Sequence, residues 1–298
     1  MPPLFRLGDG QMLQAATNFA RPLAIQLASC CRYAADFASR ARPPRVVDER
    51  QFSGAFAHTS NAVWLRFAEA DVLAFQTTVQ DDRLRSAYDW LQNLRARAVA
   101  ALDLPGCVHL GFAGQLRPIL DDLLRHVRDS ADDRPLYLTG HSQGAALAVL
   151  ATKALEQSQT PATAAYVFGC PRVGDLRFVE SIETPIVRLE FGHDVVPQLP
   201  LCKPTEGPLS AVWETLRTTL PPQCAECFAE FEDDFCVHQP AGVLHYALTP
   251  RAKVRLYDAA AERELAVRRV LRFAYAGRAM VEHHYLRMYL EMLTARRS

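Results

Sequence analysis

The chain has 298 residues, 49% of them hydrophobic, and its 33 basic side chains balance 33 acidic ones. This length and composition are typical of one large domain with a sizeable core. The zero formal net charge gives no electrostatic footprint for nucleic acid, and no long uncharged apolar run predicts a membrane-spanning helix. We therefore expect a single domain over 1–298, without a nucleic-acid partner and without a transmembrane segment.

The first forty residues lack the apolar core of a secretory signal peptide. Apolar residues between Gln11 and Ser39 recur at helical spacing, which predicts an amphipathic helix packed on a sheet. A helix on a membrane surface is the alternative, and the scarcity of basic residues there disfavours it. We expect a cytoplasmic protein by default, with signal-independent export as the alternative.

Short apolar segments then alternate with amphipathic ones. Residues 62–67 and 71–77 predict two strands that form a hairpin. Apolar residues at helical spacing predict helices over 88–100 and around 116–127. Near-continuous apolar runs predict buried parallel strands at 136–139, 164–169 and 186–191. The alternation predicts an α/β fold with a mostly parallel central sheet flanked by helices.

The segment 136–147 combines an apolar strand, the pattern Gly-x-Ser-x-Gly and a helix of small residues. This combination is the nucleophile elbow of the α/β-hydrolase fold, where a sharp turn exposes the serine hydroxyl. Gly140 and Gly144 allow the strand and helix to approach closely. An ordinary serine in a turn is the alternative, and the flanking elements disfavour it. Ser142 is the candidate nucleophile, and the backbone N–H of Gln143 is a candidate oxyanion donor.

A serine nucleophile needs a general base, and the base needs an orienting carboxylate. In this fold these groups follow the serine in the order Asp or Glu, then His. Asp194, just after the strand 186–191, fits the orienting carboxylate best. Asp175 is the competing carboxylate, but it also suits the N-cap of a helix that begins near Leu176. Spacing does not choose among the later histidines, which are His238, His245 in a predicted strand, His283 and His284.

Six sequence blocks follow one another in order: Phe75–Thr78, Asp89–Leu94, Val108–Phe112, Thr139–Gly144, Phe168–Asp175 and Asp194–Pro197. They resemble, in that order, the Phe-Arg-Gly-Thr/Ser, Asp-Trp-Leu, Val-His-x-Gly-Phe, elbow, Phe-Gly-x-Pro-Arg-Val-Gly-Asn/Asp and Asp-x-Val-Pro segments of class 3, or fungal-type, lipases. The resemblance implies a serine carboxylester hydrolase that forms an acyl-enzyme on acylglycerol or phospholipid-type esters. It also implies that no cofactor is needed and that the protein contacts a lipid interface transiently.

The resemblance also implies roles for single residues. Ser142 would be the nucleophile and Asp194 the orienting carboxylate. The histidine of the family precedes a short helix that ends in tyrosine, and Tyr289 lies five residues after His284, which makes His284 the implied base. His283 stands where the family has aspartate, so the two adjacent histidines remain alternatives.

Thr78 would be the second oxyanion donor beside Gln143. The block that contains Thr78 departs most from the family, because Gln76 and Thr77 replace an arginine and a glycine. The loss of a flexible residue and of an anchoring charge there leaves a non-catalytic lipid-binding relative as an alternative. An acyltransferase that uses the same residues is another.

The segment 201–237 contains apolar residues at helical spacing followed by acidic residues. We expect either a cap or lid over the acyl-binding cleft or a helix packed on the domain surface. Cys224, Cys227, Cys236 and His238 also come close together in the sequence. They predict free thiols or a local disulfide, with a structural zinc site as the alternative.

Overall fold

The structure, a computed structural model, describes residues 19–35, 43, 45–54, 61–76, 97–200, 238–258, 261–262, 265 and 282–295. Its centre is an eight-stranded sheet with the order β1-β2-β3-β6-β7-β8-β9-β10. The strands are β1 (Asp48–Ser53), β2 (Asn61–Arg66), β3 (Asp71–Phe75), β6 (Leu136–His141), β7 (Ala164–Phe168), β8 (Ile186–Phe191), β9 (Val243–Ala247) and β10 (Arg255–Tyr257). Two short strands, β4 (Ala98–Val99) and β5 (Val108–His109), pair separately.

The five strands from β3 to β9 in this order run parallel, while β1, β2 and β10 add antiparallel edges. All side chains of β7 and β8 are buried, and the apolar majority in both strands fits a parallel sheet covered on two faces. The two charged residues of β8, Arg188 and Glu190, form a buried ion pair. The edge strand β1 instead buries only Phe52. Because parallel strands share one carboxyl end, the loops after β6, β7 and β8 meet at one edge of the sheet.

Helices cover both faces of the sheet. Helix α1 (Arg21–Ala35) and helix α5 (Leu286–Thr294) pack on one face, and α2 (Leu110–Ser130) with α3 (Gln143–Gln157) packs on the other. A short helix, α4 (Leu176–Glu180), follows β7. In β3, Leu73 and Phe75 join the core under α2 and α3, whereas Val72 and Ala74 join the core under α1 and α5. This alternation is the period of two expected of a strand covered on both faces.

Most predicted elements are confirmed. The hairpin of β2 and β3, the three buried strands and the helix around 116–127 form as expected. The N-terminal helix packs on the sheet and begins at Arg21, and residues 11–18 and 36–39 lie outside the described part of the chain. In the part of the chain that is described, no helix is long and apolar enough to cross a membrane.

The predicted helix over 88–100 is wrong at its end. Ala98 and Val99 form β4 and pair with β5, since the backbone there finds its hydrogen-bond partners in a neighbouring strand. Residues 88–96 lie outside the described residues, as do the predicted lid at 201–237 and its cysteines. Among the described residues, no cluster of three or more His, Cys, Asp or Glu side chains could hold a metal ion.

Candidate active site

Ser142 occupies a sharp turn between β6 and α3. Its backbone has φ 57° and ψ −126°, a strained conformation for a residue with a side chain. A Cβ added to Gly140 would lie 2.1 Å from the carbonyl oxygen of Gly144, so strand and helix approach as closely as the elbow requires. The glycines therefore let the chain reverse, and the reversal holds the serine at the carboxyl edge of the sheet.

The structure brings Ser142, His284 and Asp194 together. The Nε2 atom of His284 lies 2.8 Å from Ser142 Oγ, and Nδ1 lies 3.0 and 2.9 Å from the two carboxylate oxygens of Asp194. Because the carboxylate only accepts hydrogen bonds, the imidazole proton lies on Nδ1. The Nε2 atom is then the acceptor for the serine hydroxyl.

The Asp194 carboxylate is fully buried at the end of β8. Burial raises its pKa, but the charge of His284 and hydrogen bonds from His284, Tyr289 and the Val196 backbone outweigh this, so the pKa lies below its ordinary value. The Val196 N–H donates to Oδ1 at 2.9 Å, and the Tyr289 hydroxyl donates to Oδ2 at 2.5 Å. The carboxylate therefore stays ionised in a buried place.

The side chain of His141 is hydrogen-bonded to the backbone of His284. Its Nε2–H donates to the carbonyl oxygen of His284 at 2.6 Å, and the two ring centroids are 4.7 Å apart. Burial, and next the repulsion from His284, lower the pKa of His141 to about 3. His141 is therefore neutral near neutral pH, and its ring adds no positive charge beside His284.

Gly169 follows β7 directly under the three side chains. Its φ is 55°, and an added Cβ would lie 2.8 Å from Asp194 Oδ2 and 3.1 Å from His284 Cε1. No other residue type fits there without moving the carboxylate or the imidazole. The Phe-Gly block at 168–169 is thus a packing requirement of the site.

The predicted oxyanion donors differ in what the structure shows of them. Gln143 is the first residue of α3, so its backbone N–H has no acceptor within the helix. Its side-chain amide donates to Gln115 Oε1 on α2. Thr78 lies outside the described residues.

The competing carboxylate and histidines lie elsewhere. Asp175 caps α4 by accepting from Phe178 N–H at 2.8 Å, and it also accepts from Cys107 N–H at 2.9 Å. His245 is buried in β9 against Phe19, and His238 is buried beside the ring of His109.

Sequence reasoning missed the roles of Tyr289 and Gly169 at this site. It used Tyr289 only to align His284 with the family, although a buried tyrosine hydroxyl requires a partner. The signal that could have found Gly169 is a glycine directly after a buried parallel strand, at the edge where the other site residues meet.

Residues 72–203 match the family described as Lipase (class 3). The match covers less than half of the chain. The matched region includes the elbow, Gly169 and Asp194, whereas His284 lies beyond it. The family that the sequence blocks resemble is thereby confirmed.

Two curated fungal relatives align with part of this chain. The secreted mono- and diacylglycerol lipase A of Penicillium cyclopium is 33% identical over 102 residues, which are 32% of this chain and 33% of the relative. A lipase of Rhizomucor miehei is 32% identical over 126 residues, which are 39% of this chain and 35% of the relative. The chain spans about a third of the length of these relatives.

Solved structures extend the similarity to the whole fold. A mutant form of MDLA from Penicillium cyclopium gives a TM-score of 0.57 at 18% identity and covers 85% of this chain and 88% of that one. A triacylglycerol lipase described as having a serine protease triad gives a TM-score of 0.58 at 18% identity and covers 87% of this chain and 91% of that one. The predicted α/β-hydrolase fold is confirmed.

One of the curated relatives is named as a secreted lipase. The cytoplasmic location expected from the sequence finds no support in that similarity. Export of this chain therefore stays a prediction, as does the cytoplasmic default.

Proposed function

We propose that the protein is a serine carboxylester hydrolase with Ser142 as nucleophile, His284 as general base and Asp194 as the carboxylate that orients His284. The proposal rests on one observation above others. The Ser142 hydroxyl, the His284 imidazole and the Asp194 carboxylate form a continuous chain of hydrogen bonds, and none of these bonds exceeds 3.0 Å. A turn residue or a lipid-binding module has no need of a strained serine aligned with a buried imidazole and carboxylate.

The reaction has two halves. Ser142 Oγ attacks the ester carbonyl carbon while its proton passes to His284 Nε2, and the alcohol leaves with that proton when the C–O bond breaks. Water then attacks the acyl-enzyme, gives a proton to the same Nε2, and releases the acid with the proton returned to Ser142. Asp194 stays ionised throughout and stabilises the imidazolium.

The carbonyl oxygen becomes negative in each half of the reaction. The N–H of Gln143, which has no acceptor within α3, lies at the positive end of that helix, where such a charge is stabilised. We assign Gln143 as one donor and Thr78 as the second. Removal of one such donor typically lowers kcat by about 10²- to 10³-fold.

The proposed substrates are acyl esters of lipids, because the curated relatives are named as lipases, one of them a mono- and diacylglycerol lipase. We also propose that the chain is one domain and that 201–237 covers the acyl-binding cleft at a lipid interface. Deletion of that segment should then weaken hydrolysis of long-chain esters more than hydrolysis of short ones.

The test is hydrolysis of p-nitrophenyl esters of graded chain length by the wild type and by Ser142→Ala. We expect hydrolysis by the wild type, with its chain-length optimum separating lipase from short-chain esterase, and none above background by the variant. A folded wild-type protein that hydrolyses no ester, or an equally active Ser142→Ala, would contradict the proposal. Product analysis with an added alcohol would reveal an acyltransferase.

A further inference from the structure

His283 contacts the loop that carries Asp194, although it takes no part in the hydrogen bonds of the three proposed triad residues. Its Nδ1 atom accepts from the His193 backbone N–H at 2.8 Å. Its ring lies edge-on to Phe191, with centroids 5.1 Å apart, and stacks on His193 at 5.5 Å. One side chain thus contacts the two residues that flank the turn before Asp194.

The turn at Gly192 leaves space for the ring of His283. Gly192 has φ 55°, and an added Cβ would lie 2.3 Å from His283 Nδ1, so the loop leaves room for the imidazole by omitting a side chain. The Gly192 carbonyl accepts from the Tyr246 hydroxyl at 2.9 Å. Both polar atoms of the peptide between Gly192 and His193 are therefore bonded, one to His283 and one to Tyr246.

The geometry joins two pairs of neighbours. His283 binds the backbone of His193, and the next residue, His284, binds the side chain of Asp194. Two adjacent attachments fix an angle as well as a distance, and the His283 bond adds a fixed point beside those that Tyr246 and Tyr289 make to the same loop.

We propose that His283 is a positioning residue, which sets the orientation of Asp194 toward His284 by accepting the His193 N–H. This inference rests on the proposed function of the three residues that it aligns. The chemistry needed at this place is a hydrogen-bond acceptor at the position of Nδ1.

The acceptor role requires a neutral imidazole with its proton on Nε2. Burial lowers the pKa of His283, while the negative charges of Asp194 and then Glu282 act in the opposite direction. Among the described residues, stacked His193 is a further titratable side chain that faces the ring. The resulting pKa is below the ordinary value, so His283 accepts at neutral pH and loses this ability only in acid.

The experiment compares His283→Asn with His283→Leu, two side chains of similar size. The amide oxygen of asparagine stands where Nδ1 stood and can accept the His193 N–H, whereas leucine cannot. We expect His283→Leu to lower kcat on a soluble short-chain ester about 10- to 100-fold with KM unchanged. His283→Asn should retain most of the wild-type kcat.

Two further readouts separate positioning from simple stability. The downfield proton NMR signal of His284 Nδ1–H should persist in His283→Asn and be lost or broadened in His283→Leu. Its comparison needs no turnover, so it tests the inference even if the wild type hydrolyses no ester. The acid limb of kcat/KM should be steeper in the wild type than in His283→Asn, because asparagine does not titrate.

Equal kcat values for the leucine and asparagine variants, whether both high or both low, would overturn the inference. The NMR signal surviving unchanged in His283→Leu would also overturn it. Absence of Ser142-dependent hydrolysis by the wild type would instead contradict the proposed function. The two failures are therefore distinguishable.

Discussion

The Tyr289 hydroxyl lies 2.5 Å from Asp194 Oδ2, and both side chains are fully buried. Tyr289 belongs to α5, which begins two residues after His284. The segment that brings the imidazole to the carboxylate therefore also brings a second donor to it. The segment from His284 to Tyr289 thus supplies two side-chain donors to Asp194.

We expect Tyr289→Phe to reduce stability and to move the acid limb of activity. The lost bond to a charged acceptor should lower the free energy of unfolding by about 2 kcal/mol. Since this bond lowers the pKa of Asp194, its loss raises that pKa, and the acid limb of kcat/KM moves to higher pH. A pH series of kcat/KM with denaturant unfolding measures both effects.

Tyr33→Phe is the matched control, because the Tyr33 hydroxyl donates to the Glu49 carboxylate, which is not part of the site. That variant should leave the pH profile unchanged. An acid limb that does not move in Tyr289→Phe would show that the hydroxyl has no influence on Asp194.

Gly169→Ala should abolish hydrolysis. The new Cβ meets the Asp194 carboxylate and the His284 ring, and alanine resists the φ of 55°. Gly114→Ala is the control, because a Cβ there meets nothing within 4 Å and α2 is helical at that place. We expect Gly114→Ala to keep full activity and to gain up to about 1 kcal/mol of stability. Wild-type kcat in Gly169→Ala would refute the packing argument.

Ser142→Gly and Ser142→Ala should both be inactive and yet differ in stability. Glycine adopts φ 57° and ψ −126° readily, whereas alanine keeps the strain of the wild-type turn. We expect Ser142→Gly to exceed Ser142→Ala by about 1 kcal/mol in the free energy of unfolding. Equal melting curves would mean that the turn stores no strain.

Asp194→Asn should lower kcat by about 10⁴-fold, because an amide neither holds the His284 tautomer nor stabilises the imidazolium. The folded pKa of Asp194 is lowered, so its ionised form adds stability that is present above the unfolded pKa of about 3.9. That stability is lost as the pH falls through the folded pKa. Unfolding at several pH values should show a steeper acid decline for the wild type than for Asp194→Asn.

The elements predicted correctly are those whose amino-acid composition reflects their burial. The runs 164–168 and 186–191 are mostly apolar because both of their faces are covered, and the elbow is recognisable because its turn demands glycines. The first strand, Asp48–Ser53, was not predicted, since as an exposed edge it buries only Phe52. Ala98 and Val99 fit a helical spacing but pair with a distant strand.

The site residues likewise divide into those that the sequence predicts and those that only the structure reveals. Ser142 and Asp194 follow strands at one edge of the sheet, so chain order favoured Asp194 while leaving Asp175 as the competing carboxylate. Spacing did not separate His283 from His284, because the two differ only in which atoms of the Asp194 loop they meet. The contacts of Tyr289 and Gly169 with Asp194 join residues far apart in the sequence, which local patterns do not report.

Mass-spectrometric mapping of a fluorophosphonate adduct tests the central claim most directly, because the probe reacts with an activated serine and needs no particular acyl chain. We predict one adduct on Ser142 in the wild type and its loss in His284→Ala, with the fold of the variant verified by circular dichroism. An unlabelled Ser142 in the folded wild type, or equal labelling after removal of the imidazole, would contradict the account.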